Sequence, residues 1–141
     1  MEPEVVLLIG LQAGGKTTFY RRRFAATHAH VSKDLMPRSV RHKEERLLRE
    51  LATHLGAGRS VVVDNTQPSR AERAGVIHVA RSYGARVVGY WWEPDLARSL
   101  ARNAARADPV PEVGVRAALA RWEQPSPVEG FDSLTSAGAC R

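Results

Sequence analysis

The stretch Ile9–Arg22, IGLQAGGKTTFYRR, constrains this chain more than any other. Within it Gly10, Gly15, Lys16 and Thr17 fill the pattern G-x-x-x-x-G-K-T. Glycines let successive backbone N–H groups turn inward around a phosphate, and a following helix adds the positive end of its dipole. The apolar run Val5–Leu11 ahead of it reads as a strand buried on both faces of a parallel sheet. Strand, glycine loop and helix in that order make a P-loop. Gly10, Gly14, Gly15, Lys16, Thr17 and Thr18 are therefore candidate contacts to ATP or another nucleoside triphosphate. Lys16 is expected on the β/γ-phosphates and the Thr17 hydroxyl on Mg²⁺. The motif is silent on the phosphoryl acceptor.

The rest of the chain extends the pattern. A helix is expected from Lys16 to about Ala26, then a weak strand at His28–Ser32. Leu47, Leu48, Leu51 and Leu55 repeat at helical spacing within residues 38–56, and Gly56 and Gly58 end that helix. Ser60–Thr66, SVVVDNT, reads as a second buried strand with a carboxylate at its end. Pro68 and Ser69 open a helix to about Tyr83, Ala85–Trp92 is the next strand, and Pro94 with Asp95 starts a helix to about Arg106. A last helix is expected over Val113–Trp122. The tail has at most one short strand, near Phe131–Thr135. Strands alternating with helices imply an α/β fold, a parallel sheet of four to five strands flanked by helices. Ligands in such sheets bind at the carboxyl ends of the strands, where Gly10, Asp34 and Asp64 all fall.

A length of 141 residues suits one domain with a real core, so residues 1–141 are read as a single unit. The charge is 21 − 15 = +6, and only Lys16, Lys33 and Lys43 among the cations are lysines. Arginine's planar fork suits phosphate, yet a positive balance fits a nucleic-acid partner and a kinase of polyanionic ATP equally. Cys140 is the lone cysteine, which excludes an internal disulfide. The N-terminus has an acidic start and a short apolar run, unlike a signal peptide or a membrane span. A cytoplasmic protein with no membrane partner is expected.

Candidate acceptor-side residues follow the strands. Asp34, just past the weak strand, is placed either as the base that takes a proton from an acceptor hydroxyl or as a helix cap. Asp64 is placed to bind Mg²⁺, to orient an acceptor-side arginine or to cap a loop, with Asn65 and Thr66 beside it. Arg98, Arg102 and Arg106 are four apart and would share one helix face. With the break and helix after them they suggest a lid over about residues 98–121 whose arginines meet the phosphate, or a solvated face. Arg21–Arg23 read as a solvated face. Arg38, Arg41, Lys43, Arg46 and Arg49 follow Asp34 as a basic entry, but Glu44, Glu45 and Glu50 interleave them and suit a salt-bridged helix equally. Trp91 and Trp92 are stacking candidates, with one expected to face the core. The five histidines show no metal-ligand spacing.

Taken together, LLIGLQAGGKTTF, VSKD, GRSVVVDNTQPSRAER, GARVVGYWWEPDLARSLARNAAR, VPEVGV and QPSPVEGF resemble the kinase domain of polynucleotide 5′-hydroxyl kinases, over about residues 5–132. The resemblance implies a P-loop kinase fold with a helical lid. It implies ATP- and Mg²⁺-dependent transfer of the γ-phosphate to a 5′-OH of RNA or DNA. By matching position it makes Asp34 the general base, Lys16 and Thr17 the phosphate and Mg²⁺ contacts, and Asp64 the acceptor-side carboxylate with Asn65. Arg102 and Arg106 match the lid arginines, with Arg106 favoured for the transition state. The chain departs from the family in several places. Gln67 replaces the last Asn of D-N-T-N-P, and Lys33 stands where an arginine often precedes the base. Pro37 falls where some members carry an acceptor-phosphate arginine, leaving Arg38 or Arg41 to substitute. The family's apolar terminal strand becomes DSLTSAGACR, so a weak sheet edge is expected. A small-molecule P-loop kinase and a non-catalytic nucleotide-binding module remain the alternatives.

Overall fold

The most apolar run of the sequence lies at the centre of the sheet. Strand β1 spans Glu4–Ile9, and Val5 to Ile9 are fully buried. The computed structural model describes residues 2–11, 15–37 and 39–137; Gly14, Arg38 and Cys140 fall outside the described residues. After β1 come α1 (Lys16–Arg23), β2 (Ala29–Val31), a 3-10 turn (Lys33–Leu35), α2 (Lys43–Gly56) and β3 (Val61–Asp64). Then follow α3 (Arg70–Ser82), β4 (Arg86–Trp91), α4 (Leu96–Ala104), α5 (Glu112–Ala120), a second 3-10 turn (Pro127–Glu129) and β5 (Ser133–Ser136). The strand order is β2-β3-β1-β4-β5, with every described pairing parallel. The chain leaves β1 for β2 and β3 on one side and returns to β4 on the other, so β1 faces the point where the order reverses. A crevice opens there at the carboxyl ends.

Alternation along the strands divides the core in two. Val5, Leu7 and Ile9 pack with Val61, Val63 and Val87 against Leu47, Leu51 and Leu55 of α2 and Val76, Ile77 and Ala80 of α3. Val6, Leu8, Val62 and Val88 point to the opposite face, toward Phe24 and the α1 rings Phe19 and Tyr20. Truncating a leucine at such a buried position costs about 2–5 kcal/mol. The same period of two sends Ala29 and Val31 of β2 to the α2 face, and His30 to the α1 face.

Three expectations need correction. The helix read as reaching Arg106 ends at Ala104, so Arg98 and Arg102 share a helix and Arg106 lies beyond it. The reason is a side-chain staple: Asn103 Nδ2 donates to Val110 O at 2.8 Å, and Val110 N donates to Asn103 Oδ1 at 3.1 Å. The ring draws residues 105–109 into a loop, and Pro109 disfavours helix in the residue before it. Helix α1 stops at Arg23 rather than Ala26, with Phe24 turned into the core. The terminal strand is also better held than its composition suggests. Asp132 Oδ2 accepts from Val87 N at 2.8 Å, and Gly89 makes room for Phe131. A Cβ on Gly89 would sit 2.7 Å from the Phe131 ring and 2.8 Å from Leu134.

Candidate active site

The P-loop side of the crevice is a buried polar network. Gly15, the residue before α1, has φ +97°, a left-handed conformation that suits glycine. Lys16 is buried, and its Nζ donates to Gly10 O at 2.8 Å and Leu11 O at 3.1 Å. Burial lowers its pKa from the usual lysine range to about 8. Asp64 and then Asp34 oppose that shift, while the charge of Arg106 adds to it. Lys16 thus feels both candidate carboxylates and Arg106, from the segment after α4.

Asp64 ends β3 beside Leu8 of β1 and faces α1, because Val62 two residues earlier does. Its Oδ2 accepts from Thr17 Oγ1 at 3.1 Å and meets His30 Nε2 at 3.0 Å. Thr18 is exposed on the next position of α1. Gly10 N donates to Thr66 O at 3.2 Å, tying the start of the loop to the segment after β3. The Thr17 hydroxyl and the Asp64 carboxylate are hard oxygen donors close together, a set that fits Mg²⁺. Among the described residues there is no cluster of three or more His, Cys, Asp or Glu that would cage a metal. A cation on Thr17 and Asp64 would therefore complete its shell with phosphate oxygens and water.

The second wall belongs to the segment after β2. Asp34 sits in the 3-10 turn, and the cap of that turn is Ser32, whose Oγ accepts from Asp34 N at 3.1 Å. The capping role considered for Asp34 thus falls to Ser32, and the Asp34 side chain is exposed. Asn65 Oδ1 accepts from Lys33 N at 2.9 Å, which joins this turn to the DNT segment. Asp34, Lys33, Glu44, Asn65, Gln67 and Glu72 border a cleft of about 120 Å³. Arg41 is exposed and does not line it. Gln67 adopts φ 46°, uncommon for a side chain without the local hydrogen bonding of Asn. Its Nε2 holds the conformation by donating to Leu8 O at 3.2 Å and Val63 O at 3.3 Å.

A feature that pattern reading missed supports this floor. Arg73 is fully buried in α3, and its Nε and Nη2 pair with Glu129 at 2.9 and 3.1 Å. It also donates to Gln67 O at 2.8 Å and Glu123 O at 3.0 Å. The Glu of the tail EGF is thus an ion-pair partner that anchors the segment following Asp64. One signal was available: Arg73 precedes Val76, Ile77 and Ala80 at the spacing of an apolar helix face, where a cation needs a partner.

On the lid side, Arg98, Arg102 and Arg106 are all exposed. Arg102 reaches the loop: its Nη1 lies 3.7 Å from where a Cβ on Gly15 would stand. The two tryptophans part as strand alternation requires. Trp91 packs toward Trp122, and Trp92 packs edge-on to Phe19. Gly15, Thr18, Phe19, Arg22, Tyr90 and Trp92 line a second hollow of about 270 Å³ beside the P-loop. Arg23 of the arginine run covers the Phe19, Phe24 and Tyr90 rings with centroid distances of 5.2, 5.8 and 5.5 Å.

The parallel sheet, glycine loop and flanking helices are those of a P-loop kinase fold. Residues 5–125 match the AAA domain family, and the chain belongs to it. Among solved structures it resembles a fungal RNA kinase, with a TM-score of 0.74 at 14% identity over 96% of this chain and 38% of that one. It also resembles a gluconokinase from Sinorhizobium meliloti 1021, with a TM-score of 0.66 at 16% identity, covering 94% of this chain and 81% of that one. A third likeness is to a chain of a Pnkp1/Rnl/Hen1 RNA repair complex, with a TM-score of 0.68 at 18% identity, covering 85% and 44%. The chain spans less than half the length of the fungal RNA kinase and the RNA repair protein. No described helix is long and apolar enough to cross a membrane.

Proposed function

We propose that this protein is a phosphotransferase that moves the γ-phosphoryl group of ATP to the 5′-OH end of RNA or DNA. The observation that carries the reading is the place of Asp34 on a cleft shared with Asn65 and Thr66, the segment that Gly10 at the start of the P-loop is bonded to. A buried P-loop lysine feels Asp64, Asp34 and Arg106, one from each wall of the crevice and one from the lid. A nucleotide-binding module has no need of a carboxylate across from its phosphate grip, whereas transfer to a hydroxyl does. The triphosphate would lie along Gly10–Thr18 with its base toward the hollow lined by Phe19, Arg22 and Trp92. Asp34 would orient the acceptor hydroxyl in line with the γ-phosphorus and take its proton as the new O–P bond forms and the bond to the β,γ-bridging oxygen breaks, releasing ADP. Lys16, Arg102 and Arg106 would stabilise the negative charge on the transferred group. Thr17 and Asp64 would hold Mg²⁺, which when bound neutralises charge on the phosphate oxygens. Residues 98–121 would act as the lid, and Arg38, Arg41 and Asn65 as acceptor contacts.

A second acceptor class has its own support. Glu44 and Glu72 stand with Asp34 on the small cleft, against Lys33, the single cation among the described residues that line it. An acid-rich border of this kind suits a neutral alcohol better than a polyphosphate backbone. The two readings separate in one experiment, with labelled γ-phosphate offered to 5′-OH RNA and DNA oligonucleotides and, in parallel, to small polyols. Label on an oligonucleotide is the expected result. Label on a polyol alone would move the acceptor to the second class.

A further inference from the structure

His30 is the one side chain of the P-loop network that phosphate chemistry does not explain. Its strand register pairs it with Val62, so it shares the α1 face with Asp64 two residues further along β3. Its Nε2 lies 3.0 Å from Asp64 Oδ2, the same oxygen that accepts from Thr17 Oγ1. A carboxylate only accepts, so Nε2 carries the proton and donates. The ring is held in place on its other side. It stacks on Tyr20 with centroids 4.1 Å apart and planes 18° apart, and Tyr20 OH is fixed by a bond to His28 O at 3.0 Å. Asp64 therefore has one donor in the first turn of α1, Thr17, and one on a clamped ring, His30.

We propose that His30 is a positioning residue that holds Asp64 in the orientation needed to take a divalent cation together with Thr17. A cation takes a lone pair of the Thr17 oxygen and leaves its proton free for Asp64, so the carboxylate is held by two donors, of which His30, clamped by Tyr20, fixes its direction. Donors that orient metal-bound carboxylates typically govern metal affinity by about 10–100-fold. The inference rests on the reading of Thr17 and Asp64 as the Mg²⁺ pair and is independent of the acceptor.

The test is isothermal titration calorimetry of ATP onto the full chain, in Mg²⁺ and in excess chelator, for wild type and three variants. His30→Phe keeps a ring against Tyr20 but removes the donor. His30→Gln loses the stack but keeps an N–H within reach, and His30→Ala removes both. The expected result is that His30→Phe and His30→Ala lose about tenfold or more of the Mg²⁺-dependent gain in ATP affinity. Their affinity in chelator should match wild type, and His30→Gln should recover most of the gain. A His30→Phe variant with the full gain would overturn the proposal and leave His30 a packing residue. A wild type with no gain from Mg²⁺ would overturn it as well. A wild type that shows the gain but labels no oligonucleotide or polyol would overturn only the transfer reading.

Discussion

The two walls of the crevice are built on different physical terms. The P-loop wall centres on buried Lys16 and Asp64 and is joined by short hydrogen bonds: Lys16 to Gly10 and Leu11, Thr17 and His30 to Asp64, Gly10 to Thr66. The facing wall presents exposed side chains, Asp34 and Arg41, on a short 3-10 turn and the approach to α2. Its rigidity comes from below, through Gln67 and the buried Arg73–Glu129 pair. A donor wall that is rigid from within suits a ligand common to a whole fold. On the proposed reading, a facing wall held only at its floor lets the rim change with the acceptor while the chemistry stays in place.

Breaking the comparison starts with the largest effects. Asp34→Asn should lower phosphoryl transfer by about 10²–10⁴-fold while leaving the ATP dissociation constant within about twofold of wild type. Single-turnover transfer and calorimetry check the two halves. A variant that transfers at the wild-type rate would remove Asp34 from the chemistry. Arg73→Met should cost about 3–5 kcal/mol, because it strands the Glu129 carboxylate in the interior. Urea unfolding measures this, and a loss under 1 kcal/mol would mean the floor is held by something else. Arg102→Ala should slow transfer by about 10²-fold or more, and Arg98→Ala should change it little, since only Arg102 is seen against Gly15.

A smaller effect tests the donor wall through its lysine. Binding polyphosphate favours charged Lys16, whose pKa is depressed to about 8 by burial. ATP affinity should therefore fall by about tenfold between pH 7 and pH 9, and the fall should vanish in Lys16→Met. The same depression has a second sign to check. Between pH 8 and the ordinary lysine range the unfolded chain binds more protons than the folded one, so this group makes the fold more stable as pH rises through that window. Wild-type affinity flat over this range would mean that Lys16 is not titrating there.

Much of the donor wall was legible because its information is local. A glycine loop, the strand before it and the helix after it are contiguous, and Asp64 ends a run whose apolar character announces its burial. The acceptor wall was legible only in part. Asp34 was marked by its place after β2, but its neighbours in the cleft come from four other segments, and the Ser32 cap was not anticipated. What escaped the sequence is non-local. Arg73 meets Glu129 across 56 residues and His30 meets Asp64 across 34, and no short pattern encodes such pairs. The misread helix end at Ala104 has a related cause, because Asn103 spends its amide on Val110, seven residues ahead.

That last contact has a consequence for how such a chain can vary. Because Asn103 and Val110 pin the two ends of the intervening segment, the helices on either side are indifferent to its length. Closing a somewhat longer loop costs only about 0.6 kcal/mol per doubling. Residues 107–109 are therefore a natural cassette: insertions there would alter the loop without re-aiming Arg102 on the helix before it.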